Sequence, residues 1–194
     1  PNQKQTYTAD LGKDLNLIEK NFYDQAKLLK NGIDFFYLDV MSSGLECEIA
    51  LKSIETHNLP VLVGIHLRDN GQLPSDEKIV DIFKKYKNKN WIGIIMACIS
   101  PTAYELVIND LKKINIPYGF KLNAFKKIPK GYTVATKDEW GNAGNPTTVL
   151  GKNTDLNESR FYECAKKFKE NGATILGGCC EIRPSHIKEI SKLK

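Results

Sequence analysis

Apolar positions along this chain recur with two different periods. Five short runs are mainly apolar: Phe35–Val40, Val61–Leu67, Trp91–Ala97, Tyr118–Asn123 and Thr174–Gly178. Runs of that length and character predict strands covered on both faces, as in a parallel sheet. Between them the spacing becomes helical. Leu15, Ile18, Phe22, Ala26 and Leu29 precede the first run; Ile79, Ile82 and Phe83 precede the third; Phe161, Cys164, Ala165 and Phe168 precede the fifth. Each of these stripes predicts a helix with one buried face.

The punctuation agrees with that division. Asn31-Gly32 and Asn171-Gly172 are placed to end helices just before strands, where a left-handed residue is wanted. Ser100-Pro101 is placed to open a helix, with Ser as the cap and Pro at the first helical position, and Pro184 opens the last helix likewise. Alternating strands and helices imply right-handed βα units on a parallel sheet, an α/β fold. Five strands cannot close an eight-stranded barrel. The pattern alone therefore leaves two architectures open, a doubly wound sheet or part of a barrel. Residues 126–156, rich in Gly, Asn, Thr and Pro, form the longest irregular stretch and read as a functional loop, not a domain boundary. Residues 1–194 are expected to form a single domain.

Composition narrows the function classes. The 194 residues are 41% hydrophobic and 26% charged, an ordinary globular balance. No run of about 18 apolar residues occurs, so no membrane span is expected. The net charge of +5 is spread over many segments, the densest cluster being Lys126, Lys127 and Lys130, and Arg is scarce. Solvated faces account for it better than a nucleic-acid partner. The chain opens on Pro1 without a signal peptide, so a trimmed chain is expected.

Five cysteines are present: Cys47, Cys98, Cys164, Cys179 and Cys180. An odd number without a secretory signal argues against a disulfide framework and for a reducing, cytoplasmic setting. Cys164 lies on an apolar helix face and reads as a core residue. Cys47 reads likewise, with partial exposure expected from its two Glu neighbours. The other three are different. Cys98 ends the third predicted strand, and Gly177-Gly178-Cys179-Cys180 follows the fifth. In a parallel α/β fold the C-terminal ends of all strands share one face, so these thiols can converge. Three protein ligands with an open fourth position is the arrangement of a catalytic zinc.

These elements resemble the homocysteine S-methyltransferase family, which includes betaine–homocysteine methyltransferases. The resemblance is carried by Gly177-Gly178-Cys179-Cys180 followed by Pro184, His186 and Ile187, by Cys98 with Pro101, and by Leu122-Asn123-Ala124. Tyr7-Thr8, Gly32-Ile33-Asp34 and Met41-Ser42-Ser43 extend it over essentially the whole chain. The resemblance implies a TIM barrel of which this chain carries strands four to eight, with the first three missing. It implies a Zn²⁺ held by Cys98, Cys179 and Cys180. The implied activity is transfer of a methyl group from an onium donor, of betaine or S-methylmethionine type, to the zinc-bound thiolate of homocysteine, giving methionine.

Two positions depart from the family pattern: Asp39-Val40 stands where Glu-Thr is usual, and Ala97 where Asn precedes the cysteine. Asp39 keeps the charge and is expected to hold the homocysteine ammonium. Asn123 is expected to orient substrate or a zinc ligand. His66 and Trp140 are weaker candidates for the donor pocket, and His186 is expected to pack, not to ligate. An open half-barrel exposes sheet edges, so association with a missing segment or a second copy is expected. The competing reading is a non-catalytic zinc- or thiol-binding remnant of such a barrel.

Overall fold

The computed structural model describes residues 7–12, 14–86, 90–129, 132 and 146–193. Five parallel strands form one sheet: β1 (Phe36–Met41), β2 (Val61–Ile65), β3 (Trp91–Ile99), β4 (Tyr118–Leu122) and β5 (Ile175–Gly178). Their order in the sheet is their order in the chain. A doubly wound sheet reverses direction at a switch point. Among the described residues none occurs, and the five strands follow one another in simple sequential order. Every expected strand is present, with ends displaced by one or two residues.

The helices are α1 (Leu15–Leu29), α2 (Gly44–Ile54), α3 (Ile79–Tyr86), α4 (Pro101–Leu111), α5 (Pro146–Leu150), α6 (Glu158–Glu170) and α7 (Pro184–Ile190). Local chemistry explains their starts. Ser100 accepts a hydrogen bond from the Ala103 amide at the head of α4, with Pro101 in the first turn. Asn157 does the same for Arg160 in α6, and Asp14 for Leu17 in α1. Their ends differ. Gly172 closes α6 at φ +101°, as expected of it. Gly32 does not do this for α1, because Lys30–Gly32 tighten into a 3₁₀ turn and Ile33 continues in extended backbone. The orphan carbonyls there are met by the tighter turn instead of a left-handed residue.

The main core joins one face of the sheet to the helices. Leu38, Val63, Ile94, Met96, Phe120 and Leu122 pack with Phe22, Ile49, Ile82, Val107 and Phe161. Tyr104, Phe120 and Phe168 form its aromatic centre, with ring centroids 4.4–5.5 Å apart. Burying each such ring contributes about 2–3 kcal/mol. Cys164 belongs to this core as expected, and Cys47 is fully buried in it, not partly exposed. The opposite face of the sheet carries Tyr37, Asp39, Leu62, Lys121 and Ile175, all only half-buried.

Candidate metal centre

The site begins with an irregularity in β3. Ala97 pairs with Lys121 of β4 and Ile99 with Leu122, so Cys98 is an extra, bulged residue. Its φ is +54°, left-handed and unusual for a side chain of this kind. A bulge breaks the alternation of faces along a strand. Ile99 accordingly returns to the helix-side core, while Ala97 and Cys98 both join a second apolar cluster at the strand ends. Asn123 holds the bulge in place. Its side-chain amide donates to the Cys98 carbonyl at 2.7 Å and stands 3.7 Å from the sulfur, and its oxygen accepts from the Phe125 amide.

Cys179 and Cys180 are held against the end of β4. The Cys179 amide donates to the Leu122 carbonyl, and the Ala124 amide donates to the Cys180 carbonyl. The chain then turns back through Glu181, at φ +63°, and the Ile182 side chain folds over Gly178. A Cβ at Gly178 would run into that side chain, so glycine is required for the turn.

The three sulfurs meet. Cys98 and Cys179 each lie 3.8 Å from Cys180, and all three atoms fall within 4.8 Å of one another. A tetrahedral zinc with Zn–S bonds of about 2.3 Å has S···S edges of about 3.8 Å. The donor set and its spacing therefore fit a zinc held by three thiolates.

Without a cation the thiols hold their protons. The Cys98 thiol is pushed up to about 11. Its hydrogen bond with Cys179 pulls it down, but the bond with Cys180, burial and the nearby Cys180 charge outweigh this. Cys179 reaches about 12, where the downward pull of Cys180 is outweighed by the bond to Cys98, burial and the Cys98 charge. Cys180 reaches about 11, led by its bond with Cys179 and then burial.

An apolar wall surrounds the sulfurs, built from Val40, Ala97, Phe125, Tyr132 and Leu150. Val40 also has positive φ, +58°, in a bulged stretch of β1. Left-handed Val40, Cys98 and Glu181 thus gather at one rim of the sheet, and strain of this kind concentrates at functional sites. The Tyr7 hydroxyl lies 3.1 Å from Cys98 Sγ. Burial, then the charge of Cys98, raise the Tyr7 phenol far above its ordinary value, so it stays protonated. Tyr7 also lines a cavity of about 240 Å³ with His66, Asn123, Phe125 and Ile128. The thiols are not part of that cavity's wall, and Tyr7 connects the two.

The other expected residues fall as follows. His66 is buried, its Nδ1 donates to the Ala97 carbonyl at 3.2 Å, and its ring packs edge-on against Tyr7 at 4.6 Å. His186 is away from the sulfurs. Its Nδ1 accepts from the Arg183 amide and its Nε2 donates to the Leu156 carbonyl, a packing role as expected. Trp140 and Lys130 lie outside the described residues. The hydrogen bonds of Asn123 go to the backbone, at Cys98 and Phe125, so it holds the bulge at Cys98 in place. Asp39 lies on the half-buried face of β1, and both its oxygens accept from Lys121, at 2.6 and 2.7 Å. Sequence reasoning passed over Lys121 and the contact of Tyr7 with Cys98. A lysine inside the apolar run Tyr118–Asn123 was the available signal for the first.

A parallel α/β protein with three clustered cysteine thiols at its strand ends is the class that this fold and site define. The sequence profile described as homocysteine S-methyltransferase matches residues 4–193. The chain belongs to the homocysteine S-methyltransferase family. It is 21% identical over 173 residues to homocysteine S-methyltransferase 3 of Arabidopsis thaliana, covering 86% of this chain and 45% of that protein. Homocysteine S-methyltransferase 1 of Saccharomyces cerevisiae is 28% identical over 138 residues, 68% of this chain and 38% of the yeast protein. Selenocysteine methyltransferase of Astragalus bisulcatus is 21% identical over 169 residues, 86% of this chain and 46% of its own length. The chain thus spans about half, or less, of the length of these relatives. Among the described residues no helix is long and apolar enough to cross a membrane.

Proposed function

We propose that this chain is an arc of a TIM barrel, strands four to eight, and carries the metal centre of a zinc-dependent homocysteine S-methyltransferase. The observation that carries the proposal is the 3.8 Å spacing of Cys98 and Cys179 from Cys180, on ends of separate strands. The sequential strand order supports the barrel. Five cysteines without a disulfide suit a reducing, cytoplasmic setting.

Zinc bound by the three thiolates would supply Lewis acidity that keeps an incoming thiol deprotonated at neutral pH. The protein's own contribution is placement. Asn123 fixes the bulge that aims Cys98. The Tyr7 hydroxyl donates to the Cys98 sulfur and tempers its charge. Asp39 holds the ammonium of homocysteine. Tyr7 and Tyr132, with ring centroids 6.1 Å apart, offer aromatic faces to a cationic donor. In the transfer, the acceptor sulfur forms a bond to the methyl carbon as the onium bond breaks, and its electron pair leaves with the departing amine or sulfide. No proton moves in that step, so no general base is needed. Holding the two reactants in line is the main source of acceleration.

The test is zinc per chain in protein purified without added metal, beside Cys179→Ser, followed by methyl transfer to homocysteine. About one zinc in the parent, a large loss in the variant, and methionine formed with betaine or S-methylmethionine support the proposal. Zinc without turnover would favour a second reading, a metal-binding remnant. The capture of Asp39 by Lys121 is the observation on its side. Absence of zinc from folded, reduced protein would end both.

A further inference from the structure

Lys121 is the one charged residue of β4, between Phe120 and Leu122, which are fully buried on the helix side. Its own side chain projects to the other face. From there it reaches across β3 and β2 to Asp39 of β1, and its ammonium bonds both carboxylate oxygens. The same ammonium stands 5.3 Å from the centroid of the Tyr37 ring, which flanks the pair. Both side chains keep a window to solvent, 19% exposed at Lys121 and 34% at Asp39. A small molecule can therefore reach both charges.

The pair sits directly beneath the sulfurs. Lys121 is in register with Ala97 on one side and Gly177 on the other. Ala97 is one residue before Cys98, and Gly177 two before Cys179. A strand advances about 3.3 Å per residue, so the pair lies one to two residues below the thiol layer. Small residues, Ala97 and Gly177, flank the lysine on both neighbouring strands.

We infer that the Asp39–Lys121 pair is a two-charge clamp for the zwitterionic end of an α-amino-acid thiol, with Lys121 taking the carboxylate and Asp39 the ammonium. The inference rests on the proposed thiol acceptor and adds what selects it. The pair is neutral as it stands. A ligand with only one charge must compete with one partner for the other and leave that partner uncompensated. A zwitterion supplies both counter-charges at once, and all four groups remain paired. Lysine has three N–H donors, of which Asp39 takes two, so one is left for a carboxylate. The sulfur of the same molecule then faces the thiolate triad, because the clamp and the triad are adjacent layers of one sheet.

The experiment is titration of the cobalt(II)-substituted protein with three thiols, read by the thiolate-to-cobalt absorption band. They are L-homocysteine, 3-mercaptopropylamine without the carboxylate, and 4-mercaptobutanoate without the ammonium. Homocysteine is expected to bind about 10- to 100-fold tighter than either. In Lys121→Met, homocysteine falls to the affinity of 3-mercaptopropylamine, whose own binding marks the variant as folded and metal-loaded. Lys121→Arg keeps the carboxylate preference, and covers the case in which the methionine variant fails to fold. Equal or tighter binding of 4-mercaptobutanoate would overturn the clamp, since Lys121 would then be the built-in replacement for a substrate ammonium. An unchanged homocysteine preference in Lys121→Met, or its loss in Lys121→Arg, would overturn it too. If none of the three thiols alters the cobalt band, the thiol-acceptor reading itself falls.

Discussion

The Asn123 side chain donates to the carbonyl of Cys98 at 2.7 Å, at the bulge where β3 slips register against β4. Left-handed backbone at a non-glycine residue costs about 1–3 kcal/mol and persists only where surrounding contacts hold it. Asn123 supplies such a contact, and its position 3.7 Å from Sγ also steadies the sulfur. Removing the amide in Asn123→Ala leaves the Phe125 amide and the Cys98 carbonyl without it. We expect metal affinity to fall about 10- to 100-fold, the usual effect of losing a group that orients a ligand. Competition with a chelating dye measures this. Unchanged affinity in the variant would show that the bulge holds itself.

Gly178 governs the other two thiols. In Gly178→Ala the new methyl group runs into Ile182, and the turn carrying Cys179 and Cys180 must move. Loss of zinc is expected to exceed loss of fold, because the turn is at the sheet's rim and the aromatic centre at Tyr104 is untouched. Zinc content and thermal unfolding of the same sample, compared with the parent, separate the two effects. A variant that keeps full zinc would show the turn to be compliant.

Acid stability depends on His66. Burial lowers its imidazole from 6.5 to about 4, against the opposing pull of the Ala97 carbonyl. In the unfolded chain the ring gains a proton near pH 6.5; in the folded chain it does so only near pH 4. The unfolded state therefore binds more protons in that window, and stability falls as pH drops from about 6.5 to about 4. The loss by pH 4 is on the order of 3 kcal/mol. Urea unfolding at several pH values should show this slope, and His66→Gln should flatten it.

Metal uptake should acidify the medium. Cys98, Cys179 and Cys180 titrate near 11, 12 and 11 when no cation is present, so all three are protonated at neutral pH. A thiolate centre must release about three protons per zinc, and apparent affinity must climb steeply between pH 6 and pH 8. Calorimetry in buffers of different ionisation enthalpy counts the protons. A release of one or none would mean that the cysteines are not the ligands.

The five strands, the helix stripes and the three converging cysteines were all legible in the chain. Their signals are local: apolar runs, 3.6-residue spacing, a Ser-Pro cap before Ala103, a Cys-Cys pair behind two glycines. The shared rim of a parallel sheet accounts for Cys98 lying near Cys179 and Cys180, and the bulge then turns its sulfur toward theirs. Other features depended on tertiary structure. The exposed end of α1 took a 3₁₀ turn at Gly32, a choice between two ways of satisfying the same carbonyls. Cys98 became a bulge only because β3 and β4 slip register there. The contact of Tyr7 with Cys98 joins residues 91 positions apart, and that of Lys121 with Asp39 joins residues 82 apart. No local period encodes such a pairing. It is set by which side chains the folded sheet brings within reach of one another.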